Sequence, residues 1–341
     1  MSRKRPKTRP VASKAEAGRT PWPFELWLKR HPRSITAALI AIACIWIAAT
    51  YTVFNHTVDE PVHIAAGMEW LDKGVYRYEA QHPPLARVMS AVGPCLLGIR
   101  SQGKEAQHEG TGILYSGGRY DRNLAASRAG ILPFFIVASV TVYVWANWAF
   151  GPPVAVMAVL LFTSLPPVLA HAGLSTTDMA LTAFLGAAFL SALLWAERPS
   201  LKRSVVFGVT AALAALSKLS FLAFFPVCAA ASLVCYFAIH RATLRQRLRA
   251  LAANWFPYTR GLAVAVVVAA LVIWAGYRFS FAYSSFVGAR VPAPELFAGI
   301  QEVINHNKEG HVTYLLGERS ESGFWYYYPV VLAVKTPLAF H

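Results

Sequence analysis

Long apolar blocks separated by short polar or basic breaks dominate this chain. Residues 34–54 run for about 20 positions without a charge, and 261–277 form a block of 17 without one. Such blocks match a hydrocarbon core of roughly 30 Å crossed at about 1.5 Å per residue. Only helices and closed barrels satisfy their backbone groups in lipid. These blocks are too long and too evenly apolar for barrel strands.

The pattern predicts an all-α, polytopic transmembrane helix bundle of about eight spans. Helix 1 covers 34–54, helix 2 128–149, helix 3 154–171, helix 4 178–196, helix 5 204–217, helix 6 219–239 and helix 7 261–279. A last apolar segment starts near Tyr326 and runs to His341. Pro166-Pro167 kinks the end of helix 3. Residues 85–99 are apolar but short and contain Arg87, Gly93 and Pro94, which predicts an interfacial or re-entrant helix. The first long loop, 55–127, therefore holds juxtamembrane helices, and 280–325 forms a second long loop. The final segment stops after about half a span, the pattern of a chain truncated at its carboxyl end.

Composition agrees. Hydrophobic residues make up 56% of the 341 and charged residues 14%, too greasy for a soluble domain of this size. The net charge of +15 invites a nucleic-acid reading, but its placement argues against one. Residues 1–33 hold ten Lys or Arg against two Glu, and 240–260 hold five Arg and no acid. Both flank apolar blocks, as the positive-inside rule requires. The chain divides into a basic, disordered cytoplasmic tail, 1–33, and a membrane domain, 34–341. With the amino terminus inside, loops 151–153, 197–203 and 240–260 fall inside; loops 55–127, 172–177 and 280–325 fall outside. The four cysteines, Cys44, Cys95, Cys228 and Cys235, lack metal spacing and read as small buried hydrophobes.

Candidate chemistry gathers at the outer edge. Asp59 and Glu60 follow helix 1. A carboxylate there suits a general base, and equally a helix cap, with Pro61 in the first turn. His82, before Pro83-Pro84, can orient a carboxylate, bind a metal or serve as a structural hydrogen-bonder. His171 and Asp178 bracket the helix 3–4 turn. Asp178 is either a favourable first-turn carboxylate or a second acid facing the same cavity. Arg128 opens helix 2 and Lys218 interrupts the run between helices 5 and 6. Cations there are not demanded by the positive-inside rule; a phosphate ester in the outer leaflet would demand them, and snorkelling is the plain alternative. In the second loop, Tyr314, Glu318 and the aromatic run 324–328 suit a membrane belt or a sugar-stacking surface.

Together, Asp59-Glu60, His82-Pro83-Pro84-Leu85, Arg128, Ser175-Thr176-Thr177-Asp178-Met179, Ser217-Lys218, Tyr314-Leu315-Leu316-Gly317-Glu318, Tyr328-Pro329 and Lys335-Thr336-Pro337 resemble the C-type glycosyltransferase superfamily of polytopic membrane enzymes. The nearest likeness is to bacterial relatives of the dolichyl-phosphate-mannose protein mannosyltransferases, with the lipid A aminoarabinose transferases as cousins. The resemblance implies an inverting transfer of a sugar from a polyprenyl-phosphate carrier to a protein, lipid or glycan acceptor, in a bacterial cytoplasmic membrane with the site facing outward. It implies Asp59 as base, Glu60 in support, Asp178 as second acid, Arg128 and Lys218 on the carrier phosphate, and His82, His171, Tyr314 and Glu318 around the substrate. A divalent metal is used by some members, but His63, His82 and His171 show no ligand spacing. Members usually have more helices than the eight expected here. The competing class is a transporter or flippase of a lipid-linked substrate. It calls for repeated halves and charges near the bilayer midplane; no repeat is evident here, and the charges sit at the edge.

Overall fold

The computed structural model describes residues 23–239, 246, 249, 255–309 and 312–336. The chain is mostly helical. Helix α1 spans Pro23–Arg30 and α2 Pro32–Ala49; then come α3 (Glu60–Lys73), α4 (Pro84–Leu96), α5 (Ala106–Tyr115) and α6 (Tyr120–Ala129). Next are α7 (Leu132–Phe150), α8 (Pro152–Ser164), α9 (Pro166–Ala172), α10 (Asp178–Glu197), α11 (Leu201–Ser217), α12 (Phe221–Ile239) and α13 (Trp255–Gly276). A hairpin of β1 (Phe281–Ser284) and β2 (Ala289–Pro292) leads to α14 (Pro294–Glu309); a second, of β3 (Thr313–Leu315) and β4 (Glu318–Ser320), leads to α15 (Tyr327–Lys335).

Among the described residues, five helical stretches are long and apolar enough to cross a membrane: Pro32–Ala49, Tyr120–Phe150, Asp178–Glu197, Phe221–Ile239 and Trp255–Gly276. They become six if the bent pair α8–α9 is one span. This is the make-up of a multi-pass membrane protein. The bend of 66° has a local cause. Pro166 pushes Leu165 out of the helical region to φ −71°, ψ 117°, and the prolines restart the helix.

Four expectations change. Residues 23–30 are helical and α2 begins at Pro32, so the expected disorder does not extend over 23–33; residues 1–22 lie outside the described residues, as does most of the basic stretch 240–254. Arg128 does not open a span. It lies in the last turn of α6, and α7 starts after a break at Gly130-Ile131. Residues 84–96 form a helix packed among α3, α6 and α11, an element of a folded cap and not a separate lipid-facing segment. The loop 280–325 carries two hairpins and α14.

Two cores result. Ile40, Ala43, Ile47, Phe134, Phe135, Val159 and Ala183 join α2, α7, α8 and α10 within the bundle. Ile64, Met68, Ala91, Ile113, Leu114 and Leu124 join α3 to α6 into a cap over one end of it. The cap helices approach closely. A Cβ on Gly67 would stand 1.9 Å from the Arg87 carbonyl oxygen, and one on Gly110 1.8 Å from that of Pro61, so both contacts require glycine. The cap is also clamped to α13. Trp70 donates from Nε1 to the Gly276 carbonyl at 2.9 Å, and the Arg278 guanidinium lies 4.8 Å over the Trp70 ring.

Helices α10 and α11 run antiparallel in a defined register. Lys218 meets Asp178 at one end, Ser191 meets Thr210 midway at 2.7 Å, and Trp195 donates to Ser204 at the other at 3.1 Å. By contrast α12 buries only Phe221, so its apolar surface is left for lipid.

Candidate functional site

Glu60 and Arg128 form the innermost node. Arg128 is 1% exposed and Glu60 0%. Arg128 donates from Nε to Glu60 Oε1 and from Nη2 to Oε2, each at 2.9 Å. Its Nη1 donates to the carbonyls of Tyr51 (2.7 Å) and Phe54 (3.0 Å), and Nη2 also to that of Asn55 (3.1 Å). All five N–H groups of the fork are thereby engaged. The local reason is α2. The turn after its end, 50–55, leaves carbonyls without amide partners, and the guanidinium supplies donors for them. Glu60 neutralises that charge and also accepts from the backbone N–H of Ser175 at 2.9 Å and of Thr57 at 2.7 Å. Burial pushes the Glu60 carboxyl up, but the Arg128 bond and these two amides outweigh it, and the group is held below its ordinary value. A saturated Arg128 has no N–H to offer a phosphate, so the carrier-binding role expected of it is corrected to a structural one. Glu60 is equally committed.

Asp59, one residue earlier, is exposed. It precedes α3 without a side-chain capping bond, so the capping expectation is not met. Its carboxylate makes no hydrogen bond or ion pair with the described residues. Pro61 fixes the start of α3; Glu60 turns inward to Arg128 while Asp59 faces solvent.

The Ser175–Glu60 bond brings the α9–α10 turn onto the start of α3, which puts Asp178 at the same end of the bundle as Asp59. Lys218 Nζ donates to Asp178 Oδ1 at 2.7 Å, and His171 Nδ1 lies 3.7 Å from Oδ2. Lys218 and Asp178 are 32% and 41% exposed, so their ion pair is open to water and to a ligand. Lys218 terminates α11 in an extended conformation (φ −161°, ψ 134°), which turns the chain into α12.

Beside this pair stand two histidines and an arginine that the sequence did not connect. The His63 and His82 ring centroids are 5.1 Å apart, nearly edge to face. Arg87, fully buried on α4, donates from Nε to His63 Nδ1 at 3.0 Å. Its other N–H groups bond the Tyr76 hydroxyl (3.2 Å), the Tyr78 carbonyl (3.2 Å), the Glu79 carbonyl (2.8 Å) and the Glu79 carboxylate. Glu79 takes a left-handed backbone (φ 47°) to place that carboxylate. Burial, then the Arg87 charge, pushes His82 down to about 4, and the same causes push His63 well down. Both imidazoles are neutral at pH 7. One signal could have found the group: an Arg in the apolar run 85–99 demands buried partners.

Tyr314 and Glu318 make no bond to this group. They lie on the exposed β3–β4 hairpin, Tyr314 67% exposed, and no hydrogen bond or ion pair links them to Asp178 or Lys218. Among the described residues no three His, Cys, Asp or Glu side chains gather as metal ligands. A cavity of about 250 Å³ lined by Ser200, Phe256 and Arg260 lies at the opposite end, by the α10–α11 turn, away from this chemistry. The arrangement thus offers an exposed carboxylate, an accessible ammonium with a paired acid, and two neutral imidazoles. No family model, curated protein or solved structure matches this chain.

Proposed function

We propose that this protein is a membrane-embedded glycosyltransferase that moves a sugar from a polyprenyl-phosphate carrier to an acceptor with inversion. The observation that carries the reading is the meeting of the accessible Lys218–Asp178 pair with the end of the bundle that exposes Asp59. In the reaction, Asp59 takes the proton of the acceptor nucleophile as it forms a bond to the anomeric carbon. The bond from that carbon to the carrier phosphate breaks, and the phosphate leaves with the electron pair. Lys218 stabilises the charge that develops there. Asp178 orients Lys218 and faces the acceptor, and His171 and His82 border the site.

The lipid-facing α12 beside Lys218 suits a long prenyl chain. The reading counts α11 and α15 as spans beside the six, which gives eight. In that arrangement the amino terminus and the basic segments face the cytoplasm and the site faces away from it, in a bacterial cytoplasmic membrane. Among the described residues α2, α7, α8, α10, α11, α12 and α13 carry charged side chains only near their ends, which disfavours transport through the midplane. The test is transfer from a polyprenyl-phosphate sugar in membranes holding the protein. An Asp59→Asn variant at full rate overturns the base assignment; no transfer by the wild-type protein from any such donor overturns the reading.

A further inference from the structure

Arg87 cannot act as an acceptor, since its guanidinium stays protonated and offers only N–H groups. His63 Nδ1 must therefore present a lone pair to Arg87 Nε, 3.0 Å away. That leaves the ring proton on Nε2. The direction is enforced from behind: Arg87 is held by Tyr76, the Tyr78 and Glu79 carbonyls and the Glu79 carboxylate. Glu69 in turn fixes that segment by accepting from the N–H of Arg77 (2.7 Å) and Tyr78 (3.2 Å).

His63 Nε2 takes no hydrogen-bond partner among the described residues, although the residue is 95% buried by its 5% exposure. His82 Nδ1 and Ser220 Oγ are buried without hydrogen-bond partners, whereas His63 Nε2 is not among such buried atoms and so stays reachable. They belong to one place. Gly299 of α14 sits against both the Ala80 carbonyl and Leu219, which brings the 218–220 turn to the 80–82 loop, and His82 meets the His63 ring. A reachable N–H with no protein partner, next to polar atoms left unpaired, is satisfied by water or by a ligand that accepts from it.

We infer that His63 is a neutral imidazole locked in the Nε2–H form by Arg87, and that with Lys218 it forms an oxyanion seat for a lipid-linked phosphate. The inference rests on the glycosyltransferase reading and deepens it. The seat holds one donor that carries charge and one that does not titrate. His63 is a positioning and binding residue. Taking up a second proton would break the Arg87 bond and set a cation against Arg87 on α4, Lys218 at the end of α11 and His82, with Glu79 and Asp178 the acids nearby.

Two measurements on the full chain in nanodiscs test it. The first is a long-range proton–nitrogen correlation with labelled histidine, assigned by loss of a signal in His63→Gln. The Nε2–H pattern, unchanged from pH 8 to pH 5, is expected; an Nδ1–H pattern, or a titration in that range, overturns the lock. The second is binding of farnesyl phosphate against farnesol. His63→Met should weaken farnesyl phosphate about tenfold and leave farnesol unchanged. His63→Gln, whose amide can both accept from Arg87 and donate onward, should stay within about threefold. If the wild-type chain does not prefer the phosphate, the transferase reading falls with the seat. If it does and His63→Met binds equally well, only the seat falls.

Discussion

The Arg128 guanidinium meets both oxygens of the Glu60 carboxylate at 2.9 Å, and neither side chain touches solvent. Removing one partner of such a pair strands the other charge in a dry interior, at about 3–5 kcal/mol. Glu60→Gln and Arg128→Met should therefore collapse the thermal transition or the yield of folded protein in detergent. Arg128→Lys should rescue little, because an ammonium cannot reach both oxygens and three carbonyls. A normal transition in Arg128→Met would remove the structural role given to this pair.

Asp59 should behave oppositely. Its exposed carboxylate holds nothing together, so Asp59→Asn should melt within about 0.5 kcal/mol of the parent. Sugar transfer should drop about 10²–10⁴-fold, the range for loss of a general base. Stability and activity measured on the same preparation separate this residue from Glu60.

Lys218 and Asp178 are each about a third exposed or more, which weakens their pairing in water. A double-mutant cycle on the melting transition should return a coupling of at most about 1 kcal/mol. Carrier affinity should respond far more. Lys218→Met should raise the apparent KM for the lipid-linked donor about tenfold or more, as a lost charge-assisted contact would.

Acid should loosen the cap before it protonates the carboxylates. His82 is held down to about 4 and His63 well below its ordinary value, while both regain ordinary values near 6.5 when unfolded. The unfolded chain then binds more protons over the window from 6.5 to 4, so stability rises with pH there. Each histidine contributes at most about 1.4 kcal/mol per pH unit. Glu60, with a depressed folded value, keeps its contribution above about 4.5 and loses it at lower pH. Melting temperatures should be nearly flat above pH 6.5, fall from there to pH 4.5, and fall less steeply in His82→Gln.

Gly110 supplies a purely steric test. A methyl group there would lie 1.8 Å from the Pro61 carbonyl oxygen, next to Glu60. Gly110→Ala should cost about 1–3 kcal/mol, the range for overpacking, and should depress transfer by shifting the start of α3. An unchanged melting curve would show that the α3–α5 contact yields.

Five of the expected spans were legible because their apolar runs are long, and the helix 3 kink because Pro166-Pro167 acts through local sterics alone. The cap was less so. Asp59 and Glu60 are neighbours with the same chemistry, and only the partners decide that Glu60 turns inward; those partners, Arg128 and Ser175, lie 68 and 115 residues away. Arg128 read as a phosphate binder because the unpaired carbonyls of 51–55 cannot be seen in a sequence. Lys218 falls between two apolar helices, as the apolar runs on either side of it predicted. His63 was visible but carried no weight without Arg87, and the 280–325 segment hid its hairpins behind weak alternation over strands of three or four residues.

The bond from Ser175 to Glu60 also sets a timetable. A ribosome-bound chain that has not yet delivered residue 175 holds its Glu60 one amide short, with Asp178 and Lys218 still to come. The cap can gather early, but the Lys218–Asp178 pair forms only once α10 and α11 have both been made. The order of synthesis itself therefore decides which half of this end of the bundle is built first.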